Sequence, residues 1–153
     1  MIKRVLVIMA FLGQFQTYCF GQVKQQNQAK QQTKGQAEIY ALMTSREVLW
    51  SEGKMDQYIK LYWKDDSLRL VDDKLVASGW AKVRDYFKTT YPNKKAMGTF
   101  KCKITDYTKI SENEVHLIGS WERKASALTT GYFSMTWKKK KNEWYIVIEH
   151  IFY

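Results

Sequence analysis

Apolar residues along this chain follow two different spacings, and the change falls near residue 99. Over residues 37–50, Ile39, Leu42, Met43, Leu49 and Trp50 recur at three- and four-residue intervals, which predicts a helix with one apolar face. Gly53 ends it. Met55, Tyr58, Ile59 and Tyr62 predict a second, short helix that Asp65 and Asp66 close as a turn. Two β-prone runs follow, residues 67–71 and 75–78, split by a polar turn at Asp72, Asp73 and Lys74. Trp80, Val83, Phe87 and Tyr91 line up along a third helix from Trp80 to about Thr90, and Pro92 stops it.

From residue 99 the period is two. Phe100, Cys102 and Ile104 alternate with Lys101 and Lys103, and Val115, Leu117, Gly119 and Trp121 alternate with His116, Ile118, Ser120 and Glu122. Phe133, Met135 and Trp137 alternate with Tyr132, Ser134 and Thr136. In the last strand, strict alternation groups Trp144, Ile146, Ile148, His150 and Phe152 on one face. Tyr145, Val147, Glu149, Ile151 and Tyr153 fall on the other. Polar tips at residues 111–114 and 138–142 predict hairpin turns. Three helices followed by a four-stranded antiparallel meander give an α+β domain with its helices on one sheet face.

The N-terminus adds a separate signal. Lys3 and Arg4 precede a short apolar run, and Cys19 and Gly21 supply small residues at −3 and −1 of a cleavage site after Gly21. These are the parts of a secretory signal peptide over residues 1–21. The apolar run is about half the ~20 residues a membrane span needs. Residues 22–36 are Gln- and Lys-rich, with too little apolar surface to offset the entropy of ordering them, and are expected to be a flexible leader. The domain is expected over residues 37–153. Export predicts a periplasmic or secreted protein. Removal of Lys3 and Arg4 takes the net charge from +10 to +8. Cys102 is then left without a disulfide partner, and a buried small hydrophobe is its expected role.

The order of these elements resembles the cone-shaped fold of the nuclear transport factor 2-like superfamily, and within it the SnoaL-like and domain-of-unknown-function-4440 group. The resemblance is carried by Glu52-Gly53-Lys54-Met55-Asp56 leading into Leu61-Tyr62-Trp63-Lys64-Asp65-Asp66, by Gly79 before the third helix, and by Gly131-Tyr132, Trp137 and the close from Trp144 to His150. It implies three N-terminal helices packed on a curved, mainly antiparallel sheet, around a pocket capped by the helices. It also implies that the outer sheet face forms a homodimer, for which the apolar residues on both faces of the last strand leave material. The ketosteroid-isomerase branch of that superfamily places a phenol on the first helix and a carboxylate early in the first strand. Those places fall here at Arg46 and about Val71, so neither matches, although Asp72 is one position away.

The expected pocket is lined by Arg46, Trp50, Tyr62, Phe87, Trp121, Met135 and His150. Arg46 lies at the centre of the inward stripe of the first helix. There it either grips a ligand carboxylate or phosphate through a bidentate hydrogen bond, or forms a structural ion pair or snorkels to solvent. His150 is the polar member of an apolar strand face and the candidate acid or base, the alternative being a satisfied core residue. Glu149 is expected on the opposite face.

Other chemistries lack their motifs. His116 and His150 fall on strands of opposite parity, no Cys-x-x-Cys pairing exists for Cys102, and no glycine-rich phosphate loop occurs, so neither metal nor cofactor is expected. The basic excess is almost all Lys. Lys is a diffuse point charge, whereas specific nucleic-acid readout favours the Arg fork. The leading expectation is an exported protein that binds a small organic or acidic ligand and forms a homodimer. An acid–base enzyme of isomerase or hydrolase type using His150 is the second, and a dimerising module without a ligand the third.

Overall fold

The computed structural model describes residues 33–153 apart from Lys74. The expected signal peptide and most of the expected leader lie outside the described residues. Helix α1 (Lys34–Ser51) starts at Lys34 rather than Ala37. Thr33 caps it, its hydroxyl accepting from the Gln36 N–H at 3.3 Å. Its buried stripe is Ile39, Met43, Arg46 and Trp50. Helix α2 (Met55–Tyr58) runs into a 3-10 turn (Ile59–Leu61), and α3 spans Trp80–Thr90. A fourth helix, α4 (Lys94–Met97), departs from the expected three. It is one turn long, too short for periodicity to register, and Asn93 caps it by accepting from the Ala96 N–H at 2.9 Å. Met97 is buried there, and its carbonyl accepts from Trp50 Nε1 at 2.8 Å. Among the described residues no helix is long and apolar enough to cross a membrane.

Six strands form one sheet: β1 (Arg69–Asp72), β2 (Leu75–Ser78), β3 (Thr99–Ser111), β4 (Glu114–Lys124), β5 (Leu128–Lys140) and β6 (Glu143–Phe152). Their spatial order is β2-β1-β6-β5-β4-β3. The meander of β3 to β6 is antiparallel, and the β1–β2 hairpin joins it by a parallel pairing of β1 with β6, in which Val71 faces His150. The sheet is therefore mixed and mainly antiparallel, as expected. The expected tip at 138–142 is shorter than predicted. β5 continues to Lys140, and Lys141 and Asn142 turn the chain with φ of 52° and 68°, the positive values a two-residue hairpin demands. Lys139 and Lys140 lie instead over the rings of Trp144 and Trp63, at 5.5 and 5.9 Å.

A bulge in β6 decides what faces the core. Trp137 pairs with Ile146 and Thr136 with Ile148, so Val147 is an extra residue in β6. Trp144 and Ile146 face inward before it. After it the parity reverses, and Glu149 and Ile151 face inward while Ile148, His150 and Phe152 face out. The core fills the helix-bearing face of the sheet with Phe133, Met135, Trp137, Leu117 and Ile146, packed against Ile39, Met43 and Trp50. Gly131 is required in this wall. A Cβ there would stand 2.0 Å from the Phe152 carbonyl oxygen and 2.7 Å from the Trp121 ring.

Candidate functional site

Four side chains from three elements meet under the sheet. Arg46 comes from α1, Tyr58 and Tyr62 from the α2 turn, and Glu149 from β6. All four are nearly inaccessible, Arg46 at 3% and Glu149 at 1% exposure. Arg46 Nε donates to Tyr58 Oη at 3.0 Å, and Nη2 donates to Glu149 Oε1 and, at 3.4 Å, to Tyr62 Oη. The Tyr62 hydroxyl donates to Glu149 Oε2. The guanidinium also lies over the rings of Tyr58 and Phe100, at 5.4 and 5.5 Å. Among the described residues Arg46 Nη1 has no hydrogen-bond partner.

The charge states follow from this geometry. Burial works against the Arg46 charge, but Glu149 and the phenols more than offset it and hold its pKa well above the ordinary value. Burial pushes the Tyr58 phenol up, and burial together with Glu149 pushes Tyr62 well up, so both remain neutral hydroxyls. Thus the second expectation for Arg46, a structural ion pair, describes three of its nitrogens only in part. Nε and Nη2 are engaged and Nη1 is left over.

Beside this cluster is a cavity of about 40 Å³, walled by Trp50, Phe87, Phe100, Trp121, Phe133 and Ile151 together with Arg46, Tyr58 and Glu149. Its neck is formed by Asp72, Tyr86, Tyr91, Arg123 and Tyr153. These five also line an outer groove of about 1010 Å³ that continues past Asp73, Asn93, Lys95 and Thr129. The Tyr86 hydroxyl donates to Asp72 Oδ2. Arg123 lies 5.4 Å over the Tyr91 ring and donates to the Ala96 carbonyl at 3.1 Å. Tyr91 and Tyr153 both line this neck, and burial pushes both phenols up.

Of the expected lining residues, Arg46, Trp50, Phe87 and Trp121 reach the cavity. Tyr62 and Met135 are buried at 1% and 0% exposure without lining it. His150 is a correction. The Val147 bulge reverses its parity, so it stands on the outer face opposite Ser134, with its ring 6.3 Å from that of Phe152. His116 shares that face, contrary to the expectation of opposite parity. Its Nδ1 lies 3.1 Å from Thr136 Oγ1 and its Nε2 3.2 Å from Ser134 Oγ. Glu149 takes the inward place assigned to His150.

Asp72, expected in a turn and one position from the place of a strand carboxylate, closes β1 in step with the buried Leu68 and Leu70 and is 7% exposed. That two-residue spacing was the available signal. Cys102 is half-buried, and burial pushes its thiol up to about 12. At pH 8 its alkylation by iodoacetamide is expected to be slower than that of a free cysteine by on the order of 10³, because only the thiolate reacts. Ordinary reactivity would show that the thiol is open to solvent.

No family model and no curated protein matches the chain. Solved structures do. One is a nuclear transport factor 2-like protein of unknown function from Shewanella oneidensis MR-1. It is 26% identical over 76% of this chain and 98% of its own length, with a TM-score of 0.73. A nuclear transport factor 2 superfamily protein from Salmonella enterica serovar Typhimurium LT2 is 18% identical over 78% of this chain and 92% of its own, with a TM-score of 0.57. A ketosteroid isomerase-like protein from Erwinia carotovora atroseptica is 13% identical over 78% and 95%, with a TM-score of 0.61. The last two show likeness of fold alone.

Proposed function

From the nuclear transport factor 2-like fold of this chain we infer an exported small-molecule-binding protein, whose ligand enters through the groove and ends in the aromatic cavity. The observation that carries this reading is that Arg46, which lines the cavity, keeps a buried charged donor, Nη1, without a hydrogen-bond partner among the described residues. Buried donors are nearly always paired, so one left over marks a place for an acceptor from outside. The cavity alone is small beside the 300–1,000 Å³ usual for ligand sites. Groove and cavity share five residues, and a ligand occupying both has the usual room. An acid–base reaction through His150 loses its support, since that side chain is across the sheet from the cavity.

The outer face carries exposed Ile118, Tyr132 and Phe152, and a second copy of the chain is the proposed cover for it. The SnoaL-like grouping remains part of the same proposal. Native mass spectrometry of protein exported from cells tests these readings together. A chain beginning at Gln22, present as a dimer and carrying a non-covalent adduct of small-molecule mass, is the expected result. A retained Met1 would overturn export, a monomer would overturn the dimer, and a bare chain in every preparation would overturn ligand binding.

A further inference from the structure

We propose that the outer groove takes a small zwitterion with a carboxylate at one end and an ammonium at the other, an ω-amino acid or a short peptide. The proposal rests on the ligand-binding reading and concerns what lies in the groove, not the small cavity behind it.

Charge separation along the groove carries the argument. One end is acidic, where Asp72 closes β1 and Asp73 follows it. The other is basic, with Lys95 from α4 and Arg123 from β4. In the sheet β6 and β5 stand between β1 and β4. Three strand spacings put those two backbones about 14 Å apart, a gap that the side chains shorten. Among the described residues Asp73, Lys95 and Arg123 are in no ion pair, so charge of both signs is left for a partner from outside. Asp73 and Lys95 are exposed. Arg123 is fixed in the wall by the Ala96 carbonyl and the Tyr91 ring. The two ends flank Tyr91 and Tyr153. Burial raises both phenols, and each also feels both ends, pushed up by Asp72 and down by Arg123. As neutral rings they offer apolar surface to the middle of a ligand. A carboxylate alone gains at Lys95 and Arg123 but is repelled by Asp72 and Asp73, because ordinary salt screens charges only beyond about 8–10 Å. An ammonium alone meets the reverse. A molecule with a charge at each end gains at both.

Probes of like length separate the possibilities: 6-aminohexanoate, hexanoate, hexylamine and hexanol, with triglycine as the peptide. Each is titrated into the exported protein while the backbone amide resonances of Asp73, Lys95 and Arg123 are followed. 6-Aminohexanoate or triglycine is expected to bind at least about fivefold more tightly than hexanoate, hexylamine or hexanol. The tighter of the two tells an amino acid from a peptide. The exposed charges give variants that leave the fold alone. Lys95→Gln is expected to weaken the zwitterion by a few-fold and to strengthen hexylamine. Asp73→Asn is expected to weaken the zwitterion likewise and to strengthen hexanoate. That opposite response is what a merely structural role would not produce. A singly charged or neutral probe binding as tightly as the zwitterions, or variants that weaken every probe alike, overturns the zwitterion proposal and leaves a binding protein. If no probe binds but the exported protein carries an adduct in native mass spectrometry, the zwitterion proposal falls and the binding reading stands. If there is neither binding nor adduct, both fall.

Discussion

Glu149→Ala is expected to lower the unfolding free energy by about 3–5 kcal/mol, a large share of the 5–15 kcal/mol typical of a whole domain. The carboxylate is 1% exposed and satisfies both Arg46 and Tyr62. Without it a guanidinium remains in an apolar interior with only two phenol oxygens to accept from it. Replacing both members by apolar residues, Arg46→Met with Glu149→Leu, removes the charge and the loss together and is expected to be near neutral or stabilising. Urea unfolding of the wild type, Arg46→Met, Glu149→Leu and the double variant measures the coupling. Single losses that simply add in the double variant would show that the pair is not the unit holding α1 to β6.

Alkaline unfolding is the second large effect. Tyr58 and Tyr62 have pKa values raised above the ordinary 10.0, first by burial and, for Tyr62, by Glu149 as well. A group whose folded pKa is raised stabilises the fold fully below its unfolded pKa. That contribution is lost as pH rises from 10 through the folded value, here at about 1.4 kcal/mol per pH unit for each phenol. Stability should therefore fall steeply above pH 10. Phenolate absorbance from these two residues should appear only as near-ultraviolet dichroism is lost. A smooth titration of every tyrosine near pH 10 with the fold intact would mean that the two phenols are reached by solvent.

Local rules account for much of what was legible beforehand. The three- and four-residue spacing of Ile39, Met43 and Trp50 places α1 and turns Arg46 inward. The alternation in β3, β4 and β5 correctly separates Leu117, Trp121 and Phe133 from Ile118 and Tyr132. Helix α4 escaped because a single turn carries no period. Asp72 reads in the sequence as part of a turn, since two acidic residues before a lysine are the usual chemistry of one, and its burial depends on α3 presenting Tyr86.

The partner of Arg46 shows where local rules end. Local patterning places the elements other than α4, the inward stripe and the need for something to answer a buried cation. Strand pairing settles what answers it. Parity is a property of an unbroken strand, and β6 is broken at Val147 by its pairing with β5. No pattern of apolar residues within β6 marks that position, because Ile146, Val147 and Ile148 are equally suited to either face. One extra residue therefore exchanges Glu149 for His150, turning an expected imidazole site into a buried ion pair with one donor to spare.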